Sequence, residues 1–319
     1  IRKSFYSLYP GNWSIRLGDY GDLTPGESVE DTYQNLSSIV SFFIKNDVIP
    51  VIIGGSQDLT YANYRGYDEF KTTINIVNVD SNFDLGDSSK PIKNNSYLGK
   101  IILDEPHNLF NYATLGYQTY YNPQIEIDLM EKLYFEAYRL GEVCRDITSV
   151  EPVMRDADIV TIDLRCIKSS ELSSRQKLSP NGFDGKEICS ISRYAGISNK
   201  VSSFGIFEYK SSNEDEITEM LIAQILWYFI EGVNCRIVDN DFTSDKNFQK
   251  FTVIVEKHEL VFYKSIKTSR WWIEIPNYSN RDNKLKEQAL LPCTHEDYQS
   301  ANEGIIPDRW YKAYKKNII

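Results

Sequence analysis

The stretch IPVIIGGSQDLT, residues 49–60, gives the clearest indication of how this chain folds. Its apolar first half is typical of a strand that is buried on both faces of a parallel sheet. Gly54 and Gly55 then let the backbone turn sharply, and the polar residues Gln57 and Asp58 follow at once. The stretch therefore predicts a buried strand whose carboxyl end brings polar side chains to a site.

The same pattern continues along the chain, where apolar strands alternate with helices. Ser28 begins a helix with a capping box, and its apolar stripe continues to Phe43. Further helices are predicted over 126–143 and 213–232. Further strands are predicted over 13–23, 73–80, 112–118, 156–167 and 200–209. This alternation predicts an α/β fold with a doubly wound, mostly parallel sheet, and such sheets bind ligands at the carboxyl ends of their strands.

The C-terminal part has a different pattern. Residues 251–265 predict a hairpin around Lys257-His258, residues 270–276 predict one more strand, and 293–314 predict a wrapping tail. We therefore expect residues 1–250 to form an α/β domain and residues 251–319 to form a hairpin and tail packed on that same domain.

Composition excludes several classes of function. The 319 residues carry a net charge of −10, which disfavours a nucleic-acid or anionic-membrane partner, and the basic end 309–317 is interpreted as a solvated tail rather than a binding patch. No apolar run approaches the ~18 residues of a membrane span, so membrane insertion is not expected. Five widely spaced cysteines without a C-x-x-C pair are typical of a reduced, cytoplasmic protein.

Charged and amide side chains stand where the predicted strands end. Asp80, Asn82 and Asp84 alternate after one strand, and Asp163 and Arg165 alternate after another. Alternate residues of an extended chain point to one side, so each run should aim its side chains into one place. A further acid, Glu208, ends the strand of residues 200–209.

In order and spacing, the motifs GGSQD, DSNFD and TIDLRCIKS resemble those of the ureohydrolase family of arginase, agmatinase and formimidoylglutamase. Residues 179–196 and the tail are most similar to the formimidoylglutamase branch. The resemblance implies a three-layer α/β/α arginase-like fold that needs a first strand upstream of Ile1. It also implies two Mn²⁺ ions, held by two histidines and four aspartates, that activate a water for attack on a guanidine or formimino carbon.

Carried over by position, the resemblance gives six ligand positions, of which three keep a carboxylate. An amide is a weak ligand for Mn²⁺, and an arginine cannot lose its proton. A positive charge ~4 Å from a dication costs about 8 kcal/mol per ion at an effective dielectric constant of ~20. Lys168 also replaces an acid of the family pattern. The six positions are Gln57, Asp80, Asn82, Asp84, Asp163 and Arg165, and only Asp80, Asp84 and Asp163 are competent ligands.

These departures lead to the hypothesis of a pseudoenzyme that acts by binding or assembly. The Arg165 guanidinium would occupy the old metal volume and pair with the carboxylates, and no cofactor is expected. The resemblance implies a homo-oligomer, and partners are expected to be a small guanidino or formimino ligand or a protein.

Two other functions remain open from the sequence. The first is a formimino or guanidino C–N hydrolase with a reduced, single Mn²⁺ site. In that case Asp84 and Glu208 are the candidate catalytic residues, and Glu208 and Asn181 are the candidate substrate-binding residues. The second is a pocket that senses an amino-acid derivative.

Several single residues allow two interpretations. Gln57 either bonds local backbone in a turn or hydrogen-bonds to the cluster as a vestigial ligand position. Glu208 either binds a cationic ligand or is a satisfied acid near Arg165. Cys166 is expected in the core rather than as a nucleophile. The three histidines are expected on surface loops, outside the motifs: His107, His258 and His295.

Overall fold

A computed structural model describes residues 1–70, 72–87, 89–172, 179–210, 215–239, 246–276 and 290–318. The chain forms two compact units. The first comprises Ile1–Leu129 and Ala137–Arg236, and the second comprises Met130–Glu136 and Ile237–Ile319.

One six-stranded sheet dominates the first unit, within the residues described. Its strands, β1 to β6, are Val51–Ile53, Ile74–Val79, Leu109–Tyr117, Glu136–Arg139, Ile159–Asp163 and Ser203–Phe207. They lie in the order β1-β6-β5-β2-β3-β4, and the four pairs from β1 to β3 are parallel. The chain leaves β2 towards β3 and leaves β5 towards β6, in opposite directions. The sheet is therefore doubly wound, and its topological switch point lies between β2 and β5.

Helices flank this sheet, which confirms the predicted α/β architecture. The predicted cap at Ser28 is confirmed, since its hydroxyl accepts from Asp31 N, and the Asp184 carboxylate caps a second helix by accepting from Lys186 N and Glu187 N. Helices α1 to α9 are Arg2–Tyr6, Val29–Lys45, Leu59–Arg65, Tyr97–Leu103, Gln124–Lys132, Leu140–Arg145, Glu151–Arg155, Gly185–Ile197 and Glu216–Asn234.

Helices α8 and α9 pack closely because glycines meet at their contact. A Cβ added at Gly196 would lie 2.2 Å from the Phe229 carbonyl oxygen and 2.9 Å from Gly232 Cα. The Phe229 ring in turn stacks on Phe204 of β6, with 4.1 Å between ring centroids. The small residues thus let α9 seat its aromatic side chain on the sheet.

A Gly196→Ala variant is therefore expected to lose about 1–3 kcal/mol of its free energy of unfolding, since the added methyl group forces the two helices apart. Urea denaturation measures the loss. Gly141→Ala is the matched control, because a Cβ at this position of α6 meets no atom within 4 Å. The control should be neutral or slightly stabilising, and equal stabilities for the two variants would contradict the packing argument.

Two of the predicted elements are wrong. Residues 13–23 form no strand; most of them are exposed, and Asp19 instead binds Arg2 through its side chain. Residues 126–143 do not form one helix. Helix α5 ends at Lys132, Tyr134 takes a positive φ of 54°, and the chain then enters β4. A left-handed residue cannot continue a right-handed helix, which explains the break.

The second unit contains a four-stranded antiparallel sheet within the residues described. Strands β7 to β10 are Phe248–Val255, His258–Ser265, Trp271–Glu274 and Leu290–Cys293, in the order β10-β9-β8-β7. The predicted hairpin is confirmed, with its turn at 256–257. The predicted tail instead contains β10 and two helices, α10 (His295–Asn302) and α11 (Asp308–Ile318). One apolar cluster, which includes Phe262, Trp271 and Trp310, is the core of this unit.

Candidate functional site

The switch point of the sheet brings two of the predicted acids side by side. Val79 of β2 pairs with Ile162 of β5, so the next residues, Asp80 and Asp163, leave the sheet as neighbours. Both side chains are fully buried. Parallel strands at a switch point diverge beyond their carboxyl ends and leave a crevice there, and these two carboxyl groups lie in it.

A left-handed turn adds a third carboxyl group. Asp84 has a φ of 56°, a conformation that non-glycine residues adopt rarely and at a cost of about 1–3 kcal/mol. The turn directs the Asp84 side chain back to the strand end. One carboxylate oxygen from each of Asp80, Asp84 and Asp163 then lies within 4.8 Å of the others. We call these three residues the acid cluster.

Arg165 takes up the hydrogen-bonding capacity of Asp163. Its backbone N–H and Nε donate to Asp163 Oδ1 at 2.7 and 3.0 Å. Nε also donates to Oδ2 at 2.9 Å, and Nη2 donates to the same oxygen. Two carboxylate oxygens offer about four lone-pair sites, so this fork leaves Asp163 little capacity for another ligand.

Glu208 lies near the same guanidinium nitrogen, with 3.8 Å between Glu208 Oε2 and Arg165 Nε. It also has a positive φ, 64°, and its N–H donates to the carbonyl oxygen of Gly55. Its Oε1 accepts from Gln57 N at 2.9 Å and from Asn94 Nδ2 at 3.0 Å. Glu208 is thus a fixed, largely satisfied acid beside the guanidinium.

Gln57 connects to the acid cluster through a buried amide. Its Nε2 donates to Asn78 Oδ1 at 2.9 Å, and Asn78 Nδ2 donates to Asp80 Oδ2 at 3.3 Å. The hydroxyl of Thr161 donates to the same Asn78 oxygen at 2.8 Å. Of its two interpretations, the structure supports a hydrogen-bonded link to the cluster rather than a local turn contact.

Burial sets the electrostatics of the cluster. Loss of water raises the pKa of Asp80, Asp84 and Asp163 above the ordinary value for aspartate, and the Arg165 charge opposes that rise for each. The pKa of Asp84 rises well above the ordinary value because burial and the neighbouring Asp80 both disfavour its charge. The Arg165 guanidinium is thus the described cation that lowers the pKa of all three acids of the cluster.

A two-ion metal centre does not fit these residues. Arg165 forks Asp163, and Gln57 can offer an ion only its amide oxygen Oε1, a weak neutral ligand. The side chain of Asn82 turns away, since its Nδ2 donates to the carbonyl oxygen of Tyr121. A single oxygen-preferring ion has three candidate ligands, the acid cluster, provided that Arg165 releases Asp163.

Other predicted site residues lie elsewhere. The expectation that three alternate side chains of DSNFD meet is wrong for Asn82. Among the described residues, no hydrogen bond joins Asn181 to the cluster; its backbone carbonyl accepts from Gln118. Cys166 lies in the core, as expected. The loop setting predicted for His258 and His295 is wrong, because they begin β8 and α10 and contact aromatic rings there.

Three residues of this network were not among the predicted site residues: Asn78, Asn94 and Thr161. Asn78 had a usable signal, since it lies two residues before Asp80 on a strand and therefore on the same side. Thr161 stands in the same relation to Asp163. Asn94 comes from the loop before α4, and no periodicity of the chain points to it.

The doubly wound sheet, with acids at its switch point, defines an arginase-like α/β protein. The chain belongs to the arginase family, whose model matches residues 2–231. It is similar to the formimidoylglutamase of Streptococcus gordonii, at 24% identity over 68% of this chain and 71% of that protein.

Solved structures show the same fold. One is the Trypanosoma cruzi formiminoglutamase crystallised with Mn²⁺, at a TM-score of 0.63 and 18% identity over 69% of this chain and 76% of that one. The formimidoylglutamase of Bacillus subtilis aligns with a TM-score of 0.63 and 18% identity, over 70% of this chain and 74% of its own. No described helix has the length and apolar character needed to cross a membrane.

Proposed function

We propose that this chain is a non-catalytic, formimidoylglutamase-like member of the arginase family that acts by binding or assembly. One observation carries the proposal: Arg165 donates to both oxygens of Asp163 at a ligand position of the family. In this proposal the chain retains these acids because they pair with the Arg165 guanidinium, and not because they bind metal ions.

Charge supports the same proposal. Two dications need several anionic ligands, whereas this site supplies three carboxylates and one fixed cation. The repulsion of about 8 kcal/mol between a guanidinium and each dication cancels the attraction that one of the three carboxylates would supply at the same distance.

A cationic ligand would have to compete with Arg165 for Glu208. The carboxylate of Glu208 already accepts from Gln57 and Asn94 and lies 3.8 Å from Arg165. A guanidino or formimino compound can therefore bind there only by displacing the internal guanidinium. We accordingly propose that the protein acts in the cytoplasm by binding a protein partner or by forming a homo-oligomer, and not by binding such a small cation.

The purified protein is expected to release no urea from arginine or agmatine and no formamide from formiminoglutamate, with or without Mn²⁺. Colorimetric detection of urea and coupled detection of formamide measure this. An Asp84→Ala variant should give the same background as the wild type, because no reaction depends on that carboxylate. Turnover that needs Mn²⁺ and disappears in Asp84→Ala would overturn the proposal.

The second candidate function is a hydrolase with a single-ion site. It is favoured by the closeness of the three carboxylates and by Asp84 Oδ2, a buried oxygen for which the described residues supply no hydrogen bond. Such an acceptor suits a cation or a proton. The activity assay above separates the two functions, since only the hydrolase would depend on both Mn²⁺ and Asp84.

A further inference from the structure

Strand β7 of the second unit has one edge that pairs with no described strand. It lies at the end of the four-stranded sheet, so among the described residues only β8 pairs with it. With eight residues, it equals β8 as the longest strand of that sheet. The backbone groups of an open edge are a template for pairing with another strand.

The hairpin geometry shows which backbone groups face outward. Val255 and His258 flank a two-residue turn, and such flanking residues exchange both hydrogen bonds, a pattern that recurs at alternate positions. The 2.9 Å hydrogen bond from Ile266 N to Asn247 O fits this alternation, because the pair lies an even number of residues from the pair Val255 and His258. The residues between these bonded pairs therefore point their N–H and C=O groups away from β8. They are Phe248, Lys250, Thr252 and Ile254, of which the last three are centred near the middle of the strand.

The two edges of this sheet are protected differently. At the β10 edge, Pro292 interrupts the row of donors, and its carbonyl accepts from Arg309 Nη1. At the β7 edge, Lys250 is the only charged residue of the strand, and its Nζ lies over the Tyr263 ring of β8, 5.6 Å from the centroid. Ile254 is 77% exposed. The β7 edge thus has no proline, and its one charge lies over a ring of the neighbouring strand and not beyond the edge.

We propose that β7 pairs antiparallel with β7 of a second copy of this chain, about a two-fold axis at Thr252. In this register Thr252 faces Thr252 of the partner subunit, and Lys250 faces Ile254 of the partner subunit. These are the residues whose backbone groups point outward, so each facing pair exchanges two hydrogen bonds. The two four-stranded sheets become one continuous sheet.

A second copy fits the edge because the strand complements itself. The only charge, Lys250, meets an isoleucine and not another lysine, so no like charges face each other. On the other face of the strand, Phe251 meets Val253 of the partner subunit. Both side chains already pack against the core of their own unit, and the pairing extends that core across the axis.

The association is expected to be weak. One strand pair is smaller than the ~1,200–2,000 Å² of a standard interface, so dimers should form in a concentration-dependent way. Two edge variants test the surface. Thr252→Pro removes the outward N–H at the axis without touching the bonds to β8, and Ile254→Lys places a lysine opposite Lys250 of the partner subunit.

Sedimentation velocity of the full chain, in a concentration series up to about 100 μM, measures the dimer fraction. Each edge variant should weaken association by about tenfold or more. Ile305→Lys is the matched control, since Ile305 is 58% exposed in the same unit but lies in a loop, and it should leave the dimer intact. Far-UV circular dichroism checks that every variant folds. A wild type that stays monomeric throughout the series, or a dimer that survives both edge variants, would overturn the proposal.

Discussion

An Arg165→Met variant is expected to lose about 2–4 kcal/mol of its free energy of unfolding, because removing one partner of a buried ion pair leaves the other charge uncompensated. Asp163 is fully buried and accepts four hydrogen bonds from Arg165, three of them from the guanidinium. Methionine keeps the apolar stem but supplies none of those three. The expected loss of free energy of unfolding is smaller than for a fully buried ion pair, because the Arg165 side chain is 28% exposed.

Urea denaturation at neutral pH measures this loss. Arg16→Met is the matched control: Arg16 is exposed, and its replacement should change the free energy of unfolding by less than about 0.5 kcal/mol. The double variant Arg165→Met with Asp163→Asn should recover part of the loss, since it buries no charge, and the resulting cycle gives the coupling between the two residues. Equal stability of Arg165→Met and Arg16→Met would mean that the fork does not hold the site together.

Much of the first unit could be predicted because its signals are local. An apolar run that ends on Gly54-Gly55 predicts a buried strand and a turn, and both glycines do take positive φ values of 93° and 74°. The placement of Asp80 beside Asp163 also follows from simple rules. Both are the polar ends of central parallel strands, and such ends share one edge of the sheet.

The rest of the site depends on backbone geometry that periodicity does not encode. The rule of alternate side chains holds only while the chain stays extended. After Asp80 it does not, and the left-handed Asp84 returns to the cluster while the Asn82 side chain points to Tyr121. Arg165 likewise follows Asp163 in a short 3₁₀ turn, not a strand, and that turn folds the guanidinium back onto the carboxylate.

The second unit was the hardest part to predict from the sequence. Its tail does carry local signals: Thr294 and Asp297 form a capping box at the start of α10, and Trp310, Ala313 and Tyr314 recur at helical spacing on α11. Both helices are held in place by tertiary contacts. Tyr298 of α10 stacks on Trp271, and the fully buried Trp310 of α11 donates its indole N–H to the Glu274 carbonyl. The apolar face of such a helix is stabilised mainly by tertiary packing, and those distant partners are not visible in the local pattern.

The triple variant Gln57→His, Asn82→His, Arg165→Asp is expected to bind Mn²⁺ tightly, at about two ions per chain, whereas the wild type retains almost none. The change supplies imidazole and carboxylate donors at the three altered positions and removes the one fixed cation. The affinity gain can reach about a millionfold, since about 8 kcal/mol of repulsion per ion is removed and each 1.4 kcal/mol is tenfold. Atomic absorption after Mn²⁺ loading and desalting gives the ion count, and titration calorimetry gives the affinity.

Variants that restore only some of the three positions distinguish two causes of weak Mn²⁺ binding: the missing ligands and the positive charge of Arg165. Gln57→His with Asn82→His alone should still bind poorly, because Arg165 keeps its charge and its fork on Asp163. Arg165→Asp alone should bind one ion through carboxylates, since it frees Asp163 and adds a fourth acid. The proposal fails if the wild type holds two ions per chain. If the triple variant binds none, the loss of the centre extends beyond these three positions, and Lys168 is the next candidate. The expected ranking makes Arg165 the dominant obstacle, because a missing ligand weakens a metal site whereas an internal cation competes for the same carboxylates.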